Sequence, residues 1–164
     1  MLTHKGTVTL NTSILLLRQF TLDDAQAVYD SYTSDENVAK WHNLDVHESV
    51  SDTKAMLVEW IPEYSHLEYY HWAIEFEGIL VGEINLFDVA DRQELCEIGY
   101  TLGSKWWNNG IITEVVAEVI RFAFDEVNFN KVCARYDIDN VGSGRVMQKN
   151  DMKLEGVFRQ HDMR

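Results

Sequence analysis

The segment from Glu94 to Thr113 carries the most specific chemistry in the chain. A strand-like run, Glu94–Leu102, passes through Gly103-Ser-Lys-Trp-Trp-Asn-Asn-Gly110 into a long helix with apolar periodicity that begins at Ile111. The first amides of a helix have no acceptor within it, and the helix dipole makes that end positive, so such a junction suits an anion. Gly110 allows close approach to the backbone, Asn108 and Asn109 tolerate left-handed conformations better than most residues, and Thr113 adds a hydroxyl donor. Alone, a loop of this kind is more often a plain turn before a helix. Neither G-x-x-x-x-G-K-[ST] nor G-x-G-x-x-G occurs, which removes the main sequence support for a P-loop nucleotidase or a dinucleotide dehydrogenase.

Three segments taken together are more specific. E-I-G-Y (Glu97–Tyr100), W-W-N-N-G-I-I-T-E (Trp106–Glu114) and D-N-V-G-S-G-R-V (Asp139–Val146) follow one another in this order. In order and spacing they resemble the signature of the ribosomal-protein N-acetyltransferase (RimJ/RimL-like) branch of the GCN5-related N-acetyltransferase (GNAT) superfamily. The resemblance runs from about Ile14 to the chain end.

That resemblance implies an acetyl-CoA-dependent N-acetyltransferase. Behind Trp107, the main-chain amides of Asn108, Asn109, Gly110, Ile111, Ile112 and Thr113 would hold the pyrophosphate of acetyl-CoA. The pantetheine arm would lie between two splayed parallel strands, Glu94–Leu102 and Val132–Ile138, along Tyr100, Thr101 and Leu102. Asn140 would position the pantetheine or thioester, Ser143 would stand near the sulfur as a proton donor, and Arg145 and Lys149 would contact phosphates.

Acyl transfer to an amine requires a neutral amine, a stabilised oxyanion and a leaving thiolate that can be protonated. A thiol pKa of about 8.5 makes the thiolate a tolerable leaving group, so Ser143 assists rather than decides. The oxyanion donor is expected on the backbone between Glu97 and Leu102, where Gly99 and Gly103 let the ladder loosen. Glu97 is the first choice of base, acting directly or through water, with a purely structural glutamate as the competing reading. Glu83 and His71 are alternatives, and Trp41, Trp60, Tyr69 and Tyr70 would wall an amine pocket if they are not simply core. The amine is read as a protein N-terminus, a polyamine or another small amine, and a non-catalytic CoA-binding or sensing module is the competing function. His42 and His47 are five apart rather than at i, i+4, and no cysteine or carboxylate cluster completes a site, so no metal is expected.

The elements that must place these groups follow from periodicity. Ser13–Phe20 reads as a strand, and Thr21-Leu-Asp-Asp24 as a capping box opening a helix with Ala25, Val28, Tyr29 and Tyr32 on one face. Glu36–Trp41 and Ser51–Glu63 read as helices, and alternation over Tyr70–Phe76 and Ile79–Val89 across Glu77-Gly78 reads as a hairpin. Ile111–Val127 is the long helix, Val132–Ile138 a strand, Gly144–Asn150 a short helix and Lys153–Arg159 a last strand. The order β-α-α-β-β-β-α-β-α-β predicts one α+β domain over residues 1–164, a mixed sheet with antiparallel N-terminal strands and a central parallel pair. Family members continue into one more strand, so the GNAT fold is expected here without its final strand. The open sheet edge would then favour a homodimer by strand addition.

Composition bounds the remaining possibilities. The chain has 164 residues, 46% hydrophobic and 12% aromatic, enough for one packed core. Its net charge of −13 disfavours nucleic acid and anionic membranes as partners and favours a cationic or neutral one. No secretory signal or membrane-length apolar run occurs, so the cytoplasm is the expected compartment. Cys96 and Cys133 lie in apolar strand-like runs, as buried reduced thiols would.

Overall fold

The computed structural model describes residues 1–42 and 45–159. The chain begins with two short strands, β1 (Leu10–Asn11) and β2 (Leu15–Arg18). The capping box then forms as the sequence predicts, with the Asp24 carboxylate accepting from both the amide and the hydroxyl of Thr21. Helix α1 (Ala25–Val28) widens into a π turn over Tyr29–Thr33, and α2 (Glu36–His42) and α3 (Val50–Trp60) follow. Helix α3 stops short of the predicted Glu63 because Pro62 has no N–H to donate, and the chain tightens into a 3-10 turn over Ile61–Ser65. The hairpin β3 (Tyr70–Phe76) and β4 (Ile79–Ala90) leads to β5 (Leu95–Leu102), α4 (Ile111–Phe122), β6 (Lys131–Cys133) and α5 (Val141–Lys149).

The six strands form one sheet in chain order, antiparallel throughout except for the parallel pair β5 and β6. A parallel neighbour requires a crossover, and α4 supplies it. Tyr70, Trp72, Ile74, Ile84, Cys96, Ile98 and Leu102 project from one face into a core closed by Ile111, Val115, Val116, Val119 and Phe122 of α4. Each large apolar side chain buried there contributes about 1.5–3 kcal/mol. Ala73 and Leu80 face the other way, under Phe20, Val28, Tyr32 and Leu57 from α1, α3 and their flanks. Arg18 ties the first strands to this second layer through two 2.8 Å hydrogen bonds to Asp24 and another to Glu75.

Two expected strands are corrected. The run Val132–Ile138 pairs only as far as Cys133, and the predicted last strand, Lys153–Arg159, forms no ladder, leaving Leu154, Val157 and Phe158 exposed. Alternating side chains make a strand only where a neighbour accepts the backbone hydrogen bonds, and no described strand pairs with residues 134–138 or with Lys153–Arg159. Lys131 holds the second segment by its Nζ, 2.6 Å from Glu155 Oε2. The expectation concerning a strand beyond Arg164 lies outside the described residues. Among the described residues no helix is long and apolar enough to cross a membrane.

Candidate active site

The parallel pair is the sheet's discontinuity. Strands β5 and β6 pair at Leu95–Lys131, Cys96–Val132 and Glu97–Cys133 and then part, so that residues 98–102 are laddered to β4 alone. Helix α5 packs beside the gap, against Tyr136 of the segment that follows β6 and against Tyr100 of β5. Gly144 makes that packing possible, because a Cβ there would stand 2.7 Å from the Tyr136 ring.

The gap leads to the loop that begins α4. Gly103 donates to the Val81 carbonyl at 2.9 Å and has no room for a side chain, since a Cβ would meet the Ser31 carbonyl oxygen at 2.3 Å. The Ser104 amide donates to Asp35 at 3.1 Å, and the Trp107 indole N–H donates to the Leu102 carbonyl at 2.8 Å. Beyond this anchored stretch the backbone turns left-handed at Asn108 (φ 63°) and Gly110 (φ 78°). Gly110 is the N-cap of α4 and no side chain caps that end, so the first-turn amides of Ile111, Ile112 and Thr113 face outward without an intrahelical acceptor. A built loop ending in free amides fits a pyrophosphate.

On the core-side face of the gap, the Tyr100 hydroxyl lies 2.9 Å from Ser143 Oγ and donates to the Ser143 carbonyl at 3.3 Å. Burial pushes the Tyr100 phenol above its ordinary range, while the Ser143 contact pulls the other way. The phenol therefore remains a proton carrier at neutral pH. Asn140 is the N-cap of α5, its Oδ1 accepting from the Ser143 amide at 3.2 Å, so it sets the position of the hydroxyl next to it. Asn150, which sequence reasoning missed, fixes the other end of α5 by donating to the Thr113 carbonyl at 3.2 Å and the Val146 carbonyl at 3.0 Å. Its only advance signal was an asparagine at the predicted helix end.

The opposite face of the same strands carries the candidate bases. Glu97 points there and accepts from Arg135 Nε at 2.8 Å. One row across the sheet runs His71, Asn85, Gly99, and the next runs Ala73, Glu83, Thr101. His71 is 5% exposed, with Nε2 2.9 Å from Glu83 Oε2 and Nδ1 3.0 Å from the Tyr69 hydroxyl. Tyr32 also donates to Glu83, at 3.2 Å. Burial pushes the Glu83 carboxyl up, but the hydrogen bonds from His71 and Tyr32 outweigh it and hold the group below the usual carboxylate range. Above this network lies a cavity of about 450 Å³ lined by Trp60, Glu63, Tyr69, His71, Glu83 and Phe87, among others.

The structure thus brings Tyr100, Asn140 and Ser143 together and places the loop at one end of the same gap. Arg145 and Lys149 lie on exposed positions of α5, with Arg145 at a hollow of about 180 Å³ beside Tyr136 and Gln148. Trp60, Tyr69 and Tyr70 line the larger cavity, whereas Trp41 stands apart, its ring 4.8 Å from Lys40 Nζ.

The sheet opens at its parallel pair toward an uncapped helix N-terminus, an arrangement suited to an acyl-CoA-dependent acyltransferase. The chain belongs to the GNAT acetyltransferase family, whose domain profile matches residues 15–153, and its acetyl donor is acetyl-CoA. It is 30% identical over 154 residues to YoaA of Bacillus subtilis, named an N-acetyltransferase, covering 93% of this chain and 86% of that one. The solved GNAT-family acetyltransferase of Bacillus anthracis superposes with a TM-score of 0.78 at 27% identity, covering 91% of this chain and 86% of its own. The fold also matches the microcin C7 self-immunity acetyltransferase MccE, solved with acetyl-CoA and AMP, with a TM-score of 0.80 at 18% identity over 93% of this chain and 86% of that one.

Proposed function

We propose that the protein transfers the acetyl group of acetyl-CoA to a primary amine by direct attack within a ternary complex. The observation that carries this reading is the Tyr100–Ser143 hydroxyl pair, set in the gap between β5 and β6 whose far end is the uncapped start of α4.

Amides from Asn108 to Thr113 hold the pyrophosphate, and Arg145 and Lys149 add positive charge from α5 in a chain of net charge −13. Bound acetyl-CoA supplies an activated thioester to the amine. A backbone N–H on the unladdered side of residues 98–102 holds the developing oxyanion, a donor already oriented and costing no rearrangement. Ser143 gives its proton to the leaving sulfur and recovers one through the Tyr100 hydroxyl. Asn140 keeps Ser143 in place through the α5 cap. On the amine side Glu97 accepts a 2.8 Å hydrogen bond from Arg135 Nε, which orients its carboxylate on the face where the amine attacks.

Release of free thiol from acetyl-CoA, followed with peptides, polyamines and aminosugars, tests the reading. Amine-dependent release is expected. Tight acetyl-CoA binding with no release for any amine would instead mark a CoA-binding module.

A further inference from the structure

We propose that Tyr69, His71 and Glu83 form a proton relay that strips the acceptor ammonium before it attacks. This rests on the amine-acceptor reading above and names the group that prepares the amine.

The hydrogen bonds fix the direction of the relay. Glu83 is ionised and can only accept, so His71 Nε2 carries the hydrogen of the 2.9 Å contact. In the neutral ring Nδ1 then has a lone pair, and the Tyr69 hydroxyl donates into it at 3.0 Å. Tyr32 donates at 3.2 Å to the same Oε2 that faces His71, so that oxygen is held between two donors and His71 is kept in one tautomer. The Tyr69 oxygen is the relay's outer end, half-buried at the cavity wall.

Position supports the role. His71 lies in one cross-strand row with Asn85 and Gly99, and Gly99 is just past the point where β5 and β6 part. Strands are about 4.8 Å apart, so the row reaches from the gap to His71 in roughly 10 Å. Phe20 and Trp60 pack on the imidazole with ring centroids 5.3 and 4.4 Å away, excluding water from its faces. The charged and titratable groups around the relay are Glu63 and Glu68 at the cavity, Tyr64 beside Tyr69, and His42 toward Glu83. No lysine or arginine lines the cavity among the described residues, so nothing there repels an ammonium.

The protons balance. Tyr69 oxygen takes one proton from the ammonium while its own passes to His71 Nδ1, so no free tyrosinate forms, and the imidazolium rests against Glu83 until it returns the proton to solvent. The nitrogen loses its second proton after the C–N bond forms, and that proton restores the Tyr100–Ser143 pair, from which Ser143 has given one to the sulfur as the C–S bond breaks. One proton is released per turnover. Tyr69 is the catalytic residue, and His71 and Glu83 act through it.

Two probe amines separate this role from a structural one. At pH 7 an alkylammonium with a pKa of about 10.4 must be deprotonated, whereas an α-ammonium at about 7.7–8.0 is already partly neutral. Acetylation of 1,4-diaminobutane and of glycinamide is measured for the full chain and for Tyr69→Phe, His71→Gln and Glu83→Gln. The relay predicts losses in kcat on the order of 100-fold for 1,4-diaminobutane and under about 10-fold for glycinamide, with KM for acetyl-CoA unchanged. It also predicts that raising the pH restores the variants selectively with 1,4-diaminobutane. Equal losses with both amines, or Tyr69→Phe with full activity on 1,4-diaminobutane, would overturn the relay. A wild-type chain that acetylates neither amine would contradict the amine-acceptor reading itself.

Discussion

The hydroxyls of Tyr100 and Ser143 stand 2.9 Å apart and join β5 to α5 at the place where the sheet opens. The tyrosine comes from the strand on one side of the gap, the serine from the helix packed beside it. Their contact makes the leaving-group side of the reaction depend on α5 being seated. Because a thiolate leaves readily, Ser143→Ala is expected to lower kcat only about 10-fold, at the bottom of what general acids contribute, with acetyl-CoA affinity nearly unchanged. Tyr100→Phe should behave similarly, and the double variant should lose little more than either single one, since the two act as one unit. Steady-state kinetics of the three variants checks this, and additive losses would separate the roles.

Gly110 adopts φ 78° at the N-cap of α4, and nothing lies within 4 Å of where its Cβ would be. A substitution there is strained by the backbone alone. Gly110→Ala is expected to cost about 1–2 kcal/mol if the loop holds its shape. If the loop relaxes instead, stability is spared and acetyl-CoA affinity falls. Thermal melting with and without acetyl-CoA distinguishes the two, and a variant unaltered in both would contradict the role given to this turn.

The exposed cations of α5 give a different signature. Arg145→Ala and Lys149→Ala should each weaken acetyl-CoA binding by roughly two- to fivefold, the worth of a solvent-exposed charge contact of about 0.5–1 kcal/mol. The effect should shrink as salt is added. Calorimetric titration at two ionic strengths measures it, and salt-independent losses would point to packing.

Much of this was legible in the sequence, and the misses have a common cause. The Thr21–Asp24 capping box, the β3–β4 hairpin and the buried stripe of α4 are encoded within their own segments and form where periodicity places them. The ends of Val132–Ile138 and Lys153–Arg159 depend on whether another strand accepts their hydrogen bonds, which no local pattern records. At the site, the left-handed turn at Asn108 and Gly110 was readable from residue type. The Glu97–Arg135 pair and the Tyr69–His71–Glu83 chain were not, because they depend on side-chain directions and cross-strand register that residue type does not record.

Acid should destabilise the protein in part through Asp24 and Glu83. Burial raises Asp24, but Arg18 and Thr21 outweigh it, and Glu83 is likewise held below its usual range by His71 and Tyr32. A carboxyl lowered in the folded state stabilises the fold above its unfolded pKa, about 3.9 for Asp and 4.3 for Glu, and that stability is lost as pH falls through the folded value. Melting temperature should therefore hold near neutrality and decline below about pH 4. Asp24→Asn should lower Tm at pH 7 by roughly 3–6 °C, for a loss of about 1.5 kcal/mol, and flatten the acid decline. An unchanged acid limb in that variant would show that other groups control it.

The central claim is that the pyrophosphate of acetyl-CoA sits on the start of α4 with its arm between β5 and β6. A crystal structure of the full chain with coenzyme A tests this most directly. Phosphate oxygens are expected within hydrogen-bonding distance of amides between Asn108 and Thr113, and the thiol end beside Ser143. Phosphates bound elsewhere, with those amides facing solvent, would contradict it.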